Sequence, residues 1–384
     1  MLLQANLKRK TCRQEAMSKR VNRQDLGAPQ NWLDYELELI PGLEGIVQDE
    51  LWERFGSGVV IVAQPQPGRI QIKFRGSPGA LTGLRSVVAV HLRQRFAIPR
   101  PRALLGHEHM THLVSMIRNL VLQQRSADFA TLKLSAAGSQ SPVFTRFQEQ
   151  LASSLGLSRA DRQGDLLVTV RRPLDRSPGW EVLVRTTPRP LSARAWRVRD
   201  MPGALNATVA HAMVRLTGRQ PGKVILNLAC GSGTLLVEYL EQAPSRLAIG
   251  VDSSAAALKA ARENLTASGH ASEVVLINSD AANLPLASRA VDVLLADLPY
   301  GMLVGSTAEN ARLYPALLLE AARVAIPSAG LVAITASKRL FELALVQLEG
   351  KWLCQGSLPI KVPFKGGYLS PTIYLLRRLP NRIP

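Results

Sequence analysis

The chain has 384 residues, too many for one ordinary hydrophobic core, so we expect two or three domains. Its hydrophobic content of 46% excludes a globally disordered protein, and no run of about 18 uncharged apolar residues occurs that could span a membrane. A net charge of +18 favours a polyanionic partner such as a nucleic acid, because each neutralised phosphate releases a counterion.

The cysteines and histidines form no metal or disulfide pattern. Cys12, Cys230 and Cys354 are scattered without a CxxC pair, so we expect neither a disulfide framework nor a zinc site. The same spacing is typical of a reducing compartment, and a cytoplasmic location is expected. The densest histidine cluster contains His107, His109 and His112. It lacks the HExxH spacing, so a solvated helix start without a metal is expected there.

The first residues are polar and basic and lack the apolar core of a signal peptide, so a disordered tail is expected over residues 1–30. Regular patterns begin at Trp32, and we expect an N-terminal subdomain over residues 31–97. Its predicted strands are Tyr35–Ile40, Val59–Ala63 and Ile70–Phe74, and its predicted helices are Leu43–Phe55 and Gly79–Val90. A basic stretch follows.

A second α/β unit is expected over residues 98–190 and a linker over residues 191–202. The predicted helices lie near His112–Gln123 and Phe144–Leu155, and the strands near Ala130–Leu134, Leu166–Arg171 and Trp180–Arg185. Basic charge is concentrated in the first half of the chain, since residues 1–200 carry +13 and residues 201–384 carry +5. We therefore expect the first half to contact the nucleic acid.

Strands and helices alternate regularly over residues 203–384. The predicted strands are Val224–Leu228, Leu247–Asp252, Val274–Ile277, Val291–Ala296, Leu331–Thr335, Leu353–Val362 and Thr372–Arg377, and the helices lie near Thr234–Leu240, Ala255–Ser268, Arg312–Ala325 and Arg339–Leu348. Alternation of this kind predicts a parallel sheet with helices on both faces.

A glycine-rich loop follows the first of these strands and reads Asn227-Leu-Ala-Cys-Gly231-Ser-Gly233-Thr. Glycines there let the backbone approach a ligand at the start of a helix. A dinucleotide fingerprint would need a third glycine for helix packing, but Leu236 occupies that position. The loop alone therefore leaves the ligand open.

Acidic residues end three successive strands of the predicted sheet. Asp252 stands 21 residues after Gly231, where a carboxylate can bind both hydroxyls of a ribose. Asp280 follows the third strand and can accept a hydrogen bond from an adenine amino group, and Asp297 ends the fourth. Capping of a turn or a helix is the alternative role for Asp252 and Asp280.

In this order the loop and the acids resemble the class I S-adenosylmethionine-dependent methyltransferases. The stretch Leu205-Asn206-Ala-Thr208-Val-Ala210 resembles the helix that closes over the methionine end of the cofactor in that family. Asn227 stands where the family usually has Asp. The resemblance implies a Rossmann-like domain with a seven-stranded, mostly parallel sheet. It also implies S-adenosylmethionine as the cofactor, with contacts from Asn206, Thr208, Asn227, Ala229, Gly231, Gly233, Thr234, Asp252, Ser253, Asp280, Ala281 and Asp297.

The fourth strand leads into Asp297-Leu298-Pro299-Tyr300-Gly301, which resembles the [D/N]PP[Y/F] signature of methyltransferases that modify exocyclic amines. Such an amine is a poor nucleophile because its lone pair is delocalised. The Asp297 carboxylate and a backbone carbonyl of Leu298 or Pro299 can bind its two N–H groups. Tyr300 can stack on the base. Carbon-5 methylation of a pyrimidine is not expected, because no cysteine lies in a suitable position.

The first half of the chain resembles the ferredoxin-like subdomain and THUMP domain that precede the catalytic domain in THUMP-domain RNA methyltransferases. The resemblance rests on Glu36-Leu-Glu38-Leu-Ile-Pro41-Gly42-Leu-Glu44 and Leu191-Ser-Ala-Arg194-Ala-Trp-Arg197. Because this first half is combined with Asp-Leu-Pro-Tyr-Gly, the chain looks most like the tRNA guanine-N2 methyltransferases of that class. The resemblance implies tRNA as the partner. It also implies contact with the acceptor stem, around position 6, and with the 3′ end. A monomer is expected. The candidate phosphate contacts are Arg93, Arg95, Arg100, Arg102, Arg194 and Arg197.

Three alternatives remain open from the sequence. The same chemistry could act on ribosomal RNA or on another tRNA guanosine, and the motif would also bind the N6 amine of adenine. A non-catalytic RNA-binding protein with a vestigial cofactor pocket is the alternative of a different class, and Asn227 is the residue that favours it.

Overall fold

The computed structural model describes residues 32–122, 129–300, 306–364 and 366–380. The tail expected over residues 1–30 and Gly301 lie outside the described residues. The described residues cluster into two compact units, which meet in sequence between Ala193 and Arg194. No helix in the described ranges combines the length and the apolar character needed to cross a bilayer.

The first unit begins with a β-α-β-β-α-β arrangement. Its elements are β1 (Leu33–Glu38), α1 (Glu44–Phe55), β2 (Val59–Gln66), β3 (Arg69–Phe74), α2 (Pro78–Leu81) and β4 (Ala89–Phe96). The strands pair antiparallel in the order β2-β3-β1-β4, which is the ferredoxin-like order, so this part of the predicted fold is confirmed.

The predicted helix Gly79–Val90 was wrong in its extent. The helix ends at Leu81, and the residues from Ala89 onwards form β4, an internal strand between β1 and a later strand of the same sheet. The strand was missed because its basic residues resemble a surface loop. In the sheet, Arg93 is 8% exposed and its Nε lies 3.4 Å from the carboxylate of Glu181, which lies on a neighbouring strand and balances its charge.

The remainder of the first unit extends the same sheet. Its elements are α3 (His107–Leu122), β5 (Thr131–Ala136), α4 (Pro142–Leu155), β6 (Ser158–Ala160), β7 (Leu166–Arg171) and β8 (Trp180–Arg185). β4 pairs with β8, and the sheet continues through β7 and β5 to β6, which gives eight strands in all. One sheet therefore runs across the boundary predicted at residue 97, and the predicted domain limits stay predictions.

The second unit is a seven-stranded sheet with helices between its strands. Its helices are α5 (Ala207–Leu216), α6 (Thr234–Leu240), α7 (Ala255–Ala267), α8 (Thr307–Val324) and α9 (Lys338–Gln347). Its strands are β9 (Val224–Leu228), β10 (Leu247–Asp252), β11 (Val274–Asn278), β12 (Val291–Asp297), β13 (Ala325–Thr335), β14 (Trp352–Pro359) and β17 (Thr372–Arg378), with a separate hairpin of β15 (Val362–Phe364) and β16 (Gly367–Leu369).

The order of the seven strands is β11-β10-β9-β12-β13-β17-β14. All neighbouring pairs are parallel except those of β17, which runs antiparallel to both β13 and β14. β9 is an internal strand between β10 and β12, and all five of its residues are buried because helices cover both faces of the sheet. The Rossmann-like class I methyltransferase fold predicted from the sequence is confirmed.

Candidate active site

The site lies at the carboxyl edge of the seven-stranded sheet, where the chain order reverses. From β9 the chain turns to β10 and β11 on one side of the sheet, and it later returns to β12 on the other. Ligands of wound α/β sheets bind in the crevice that this reversal opens. In the parallel register Leu228 lies opposite Ala296, so the glycine loop and Asp297 leave the sheet side by side.

The loop between β9 and α6 depends on backbone conformations that favour glycine. Ala229, Gly231 and Gly233 have φ angles of +49°, +54° and +81°. A Cβ atom on Gly233 would lie 3.2 Å from the Cβ of Ala261, so this glycine allows the loop to pack closely against α7. At Gly231 no described atom lies within 4 Å of such a Cβ. The loop therefore presents bare backbone to the crevice there.

Asp252 ends β10 and fixes the glycine loop with one carboxylate oxygen. Its Oδ2 accepts the backbone N–H of Gly231 at 2.8 Å, and its Oδ1 accepts that of Ser254 at 2.9 Å. The side chain is half-buried, and each oxygen has a further lone pair for a ligand hydroxyl. The cap of α7 is Ser254, whose hydroxyl accepts the backbone N–H of Ala257, so the helix-capping alternative for Asp252 is not what the structure shows. Ser253 beside it is exposed.

Asp280 is exposed and forms a turn of its own, since its Oδ1 accepts the backbone N–H of Ala282 at 2.9 Å. This is the turn-capping contact expected as the alternative role. Ser279 donates its backbone N–H to the carbonyl of Asp252 at 3.2 Å, so the turn is attached to the end of β10. Asp280 and Ala281 consequently lie on the same edge of the sheet as Asp252.

Asn227 lies within β9 and is 1% exposed. Its side-chain amide donates to the backbone carbonyls of Leu228 and Leu295, both at 3.2 Å. The Oδ1 atom is buried and has no hydrogen-bond partner among the described residues. An asparagine suits this position because its N–H groups face two carbonyl oxygens, which a carboxylate would repel.

Asp297 and Tyr300 form a hydrogen-bonded pair at the end of β12. The Tyr300 hydroxyl donates to Oδ1 of Asp297 at 3.1 Å. Desolvation raises the pKa of Asp297 to about 7, and the hydrogen bond from Tyr300 opposes that rise. Burial and the nearby Asp297 carboxylate raise the pKa of Tyr300, so its hydroxyl stays protonated. The pair gives the crevice an acidic group that titrates near neutrality.

The two candidate carbonyls of the motif differ in their surroundings. The Pro299 carbonyl accepts the Asn310 amide at 2.8 Å and the Tyr314 hydroxyl at 2.6 Å. Both donors are fully buried on α8. No described residue donates to the carbonyl of Leu298, whose own N–H bonds the carbonyl of Ile334 at 3.0 Å. Leu298 therefore offers the acceptor beside Asp297 that no described donor occupies.

Two residues that hold the motif were not expected from the sequence. Asn310 and Tyr314 stand four positions apart on α8 and so share one face of the helix. Tyr314 also shares a hydrogen bond of 2.8 Å with Thr335 at the end of β13. The signal that could have revealed them is this pair of polar residues on an otherwise apolar helix face.

The segment before α5 is bonded to the glycine loop. Asn206 caps α5 by accepting the backbone N–H of Thr208 at 2.9 Å, and Thr208 itself is buried. The Arg197 guanidinium donates to the Leu205 carbonyl at 2.7 Å and to the Thr234 hydroxyl at 2.9 Å. The side chains of Asn206 and Thr234 are thus engaged in hydrogen bonds within the protein, and Thr208 is buried. These three residues therefore help to set the backbone conformation around the site.

Asn264 makes a second connection that the sequence did not reveal. It is fully buried on α7, and its amide donates to the carbonyls of Arg199 at 2.9 Å and Ser232 at 3.0 Å. Its Oδ1 accepts the Arg199 backbone N–H at 2.8 Å. One side chain thereby joins the segment before α5 to the glycine loop.

The predicted phosphate-binding arginines fall into two groups. Arg100 and Arg102 are exposed, and Arg95 is partly exposed but bonds Glu181 at 3.1 Å and also Asp175. The other group is largely buried in ion pairs or hydrogen bonds and contains Arg93, Arg194 and Arg197. Arg194 Nε, for example, lies 2.8 Å from the buried carboxylate of Glu238.

The described residues contain no group of three or more His, Cys, Asp or Glu side chains arranged to hold a metal. Cys230 in the glycine loop is buried, and burial together with the charge of Asp252 raises the pKa of its thiol. A protonated, inaccessible thiol cannot act as a nucleophile. Carbon-5 methylation through Cys230 is therefore excluded by the burial and protonation of its thiol.

The residues of the crevice fit S-adenosylmethionine. Bare backbone at Gly231 permits close approach, the half-buried Asp252 carboxylate offers acceptors for hydroxyls, and the orphaned Oδ1 of Asn227 faces no described donor. These features together with the strand order define a class I methyltransferase domain.

Comparison with known proteins agrees with this class. Residues 194–353 match the family model described as RMKL-like, methyltransferase domain. The tRNA (guanine(6)-N(2))-methyltransferase THUMP3 of Bos taurus is 30% identical over 192 residues, which cover 47% of this chain and 37% of the relative. The chain thus spans well under half the length of that relative.

Two further matches cover most of both chains. The tRNA (guanine(6)-N2)-methyltransferase of Thermus thermophilus is 28% identical over 329 residues, 82% of this chain and 92% of the relative. The crystal structure of TrmN from Thermus thermophilus aligns with a TM-score of 0.66 and 24% identity over 90% of this chain and 100% of that chain. The methyltransferase-domain match and these relatives confirm the predicted resemblance to THUMP-domain tRNA (guanine-N2)-methyltransferases.

Proposed function

We propose that the protein transfers a methyl group from S-adenosylmethionine to the exocyclic N2 amine of a guanosine in tRNA. The observation that carries the proposal is the position of Asp297 beside the glycine loop, next to a Leu298 carbonyl that accepts no hydrogen bond from the described residues. These two acceptors match the two N–H groups of an amine. The related tRNA methyltransferases support guanosine as the base and tRNA as the substrate.

The bound cofactor supplies an electrophilic methyl group on a positively charged sulfur. The Asp297 carboxylate and the Leu298 carbonyl accept the two N–H groups and turn the nitrogen lone pair toward that methyl group. As the new N–C bond forms and the S–C bond breaks, positive charge develops on the nitrogen. Asp297 stabilises this charge, and with a pKa raised to about 7 it can accept the departing proton.

Tyr300 has two tasks in this arrangement. Its hydroxyl holds one oxygen of Asp297, so the other oxygen is left for the base. Its ring can stack on the base, which stabilises a flipped nucleotide by ~1–3 kcal/mol. Stacking and a charged hydrogen bond of ~1.5–3 kcal/mol together offset the few kcal/mol that base extrusion costs.

Proline and α8 keep the acceptors in place. Pro299 has a fixed φ, and its carbonyl is held by Asn310 and Tyr314. The Tyr300 carbonyl accepts the Ser337 hydroxyl at 3.1 Å. Preorganised acceptors need no rearrangement as charge develops, which is the largest electrostatic contribution that a site of this kind can make.

The position in the tRNA is a further part of the proposal. We propose that residues 32–193 bind the 3′ end and that a guanosine in the acceptor stem, around position 6, reaches Asp297. Among the six predicted phosphate-binding arginines, we propose that the exposed Arg100 and Arg102, together with Arg95, contact the tRNA. Arg93, Arg194 and Arg197 are better explained by the ion pairs and hydrogen bonds that they already make.

The direct test is to incubate the full chain with bulk tRNA and isotopically labelled S-adenosylmethionine and to identify the modified nucleoside by mass spectrometry. We expect N2-methylguanosine, and the Asp297→Asn variant should yield at least about a hundredfold less while its cofactor affinity stays within a few-fold. If the labelled nucleoside is N6-methyladenosine instead, the target base is adenine and not guanine. The same incubation is repeated with ribosomal RNA. If the protein binds the cofactor normally but labels neither tRNA nor ribosomal RNA, the proposal is overturned.

A further inference from the structure

A basic cleft of about 450 Å³ lies at the amino-terminal edge of the seven-stranded sheet. It is formed where β12 and β14 begin and where α8 and β17 end. β12 has seven residues, and at about 3.3 Å per residue the cleft lies roughly 20 Å from Asp297. The cleft is therefore separate from the candidate active site. Its charged lining residues are Arg289, Glu320, Arg323, Lys351 and Arg378.

The one acidic group of the cleft is already neutralised by a neighbour. Arg323 donates to Glu320 through Nε at 2.8 Å and through Nη2 at 2.6 Å. Glu320 also accepts the backbone N–H of Leu284 at 2.8 Å. Arg323 in turn donates to the carbonyls of Leu284 and Leu286, so this ion pair serves to fix the loop before β12. The remaining lining charges are all positive.

Arg289 and Lys351 carry the excess charge. Neither side chain has an acidic partner among the described residues, and Arg289 is exposed. The φ angle of Arg289 is +58°, a region that favours glycine, and its backbone N–H donates to the Arg323 carbonyl at 3.0 Å. A long cationic side chain is thus kept at the cleft in a backbone position where glycine would be less strained.

Arg378 forms the floor of the cleft and is 8% exposed. Its guanidinium donates to the carbonyls of Ala322 at 2.9 Å and Lys351 at 3.3 Å, which orient it at the base of the cleft. Burial and then the positive charge of Arg289 lower the pKa of Arg378. The two guanidinium groups therefore repel each other, and an anion between them would remove that repulsion.

We propose that this cleft binds a phosphate group. Arginine presents a planar fork of donors that suits phosphate oxygens, and lysine adds a compact point charge. The phosphate can come from an RNA backbone or from free phosphate or a nucleotide. The proposal does not rest on the methyl-transfer function, because the cleft would bind phosphate whether or not Asp297 acts on a base.

The test compares two double variants of the full chain. Arg289→Gln with Lys351→Gln removes the excess charge of the cleft. Arg377→Gln with Lys361→Gln removes the same charge from exposed positions of the same unit that do not line the cleft, since adjacent strand residues point to opposite faces. S-adenosylmethionine affinity, measured by calorimetry, checks that both variants are folded and should not change.

Two measurements separate the sources of phosphate. The first is the slope of log affinity for tRNA against log salt, which becomes shallower by about 0.7–0.9 for each phosphate that the protein no longer neutralises. The second is the Tm in millimolar inorganic phosphate against chloride of equal ionic strength, for which we expect a rise of about 3 °C if free phosphate binds. A shallower slope in the cleft variant but not in the control identifies an RNA phosphate.

Disappearance of the phosphate-dependent Tm rise in the cleft variant, with an unchanged salt slope, identifies a free phosphate or nucleotide. If the cleft variant matches the control variant in both measurements, the proposal is overturned. Neither measurement uses methyl transfer, so failure here is distinct from failure of the proposed activity.

Discussion

The Tyr300 hydroxyl lies 3.1 Å from Oδ1 of Asp297 and donates a hydrogen bond to it. This contact opposes the desolvation that raises the pKa of Asp297 to about 7. The carboxylate must be ionised to accept the amine N–H and then the proton. The rate of methyl transfer should therefore depend on pH near neutrality.

We expect the single-turnover rate of methyl transfer to rise about fivefold from pH 6 to pH 7 and to level off above the pKa of Asp297. Below that pKa the carboxyl carries its proton and cannot accept another, so the rate falls as pH falls. Tyr300→Phe removes a hydrogen bond that lowers the pKa, and the midpoint of its profile should move to higher pH. A pH-independent rate, or a midpoint moved to lower pH by this variant, would contradict the assigned role of Asp297.

The acids at the ends of β10 and β11 should differ in their effect on the cofactor. Asp252→Ala removes both the ribose acceptor and the bond to Gly231, and we expect S-adenosylmethionine affinity to fall about tenfold or more. Asp280→Ala is the matched comparison, since this exposed carboxylate already caps the turn at Ala282, and a decrease under about fivefold is expected. Calorimetry on both variants checks the order, and equal decreases would show that Asp252 has no special role.

Replacement of Asn227 by the acid usual in the family should destabilise this chain. In Asn227→Asp a buried carboxylate would face the carbonyl oxygens of Leu228 and Leu295 without a proton to donate. We expect the free energy of unfolding to fall by about 1–3 kcal/mol at pH 8, as measured with urea. The destabilisation should shrink at lower pH as the carboxyl becomes protonated. A stable variant that binds the cofactor more tightly would indicate instead that the charge is needed in the pocket.

The buried Asn264 should matter through the backbone that it holds. Asn264→Ala leaves polar groups of Arg199 and Ser232 without their partner, so we expect the unfolding free energy to fall by about 2–3 kcal/mol and cofactor binding to weaken. Arg199→Ala is the control, because it keeps the backbone bonds and removes only an exposed ion pair with Glu263, and it should change little. If the control variant is as damaged as Asn264→Ala, the side chain of Arg199 carries the effect.

Much of the catalytic unit could be predicted from the sequence alone. The alternation of strands and helices and the glycine loop are local patterns, and the acids Asp252 and Asp297 follow their strands directly in the chain. A parallel sheet brings the carboxyl ends of its strands to one edge, so these local signals predicted the fold and the location of the site. The ferredoxin-like order of the first strands was expected only from the resemblance to THUMP-domain methyltransferases, since the local pattern missed β4.

Other features were decided only by contacts between residues distant in sequence. Arg93 and Arg194 look like nucleic-acid contacts in a linear chain, but Glu181 and Glu238 neutralise them within the fold. The choice between the carbonyls of Leu298 and Pro299 depends on donors from α8. Periodicity reports whether a side chain faces the core, but the partner that satisfies a buried charge or carbonyl is set by packing across the sheet, which the order of residues alone does not contain.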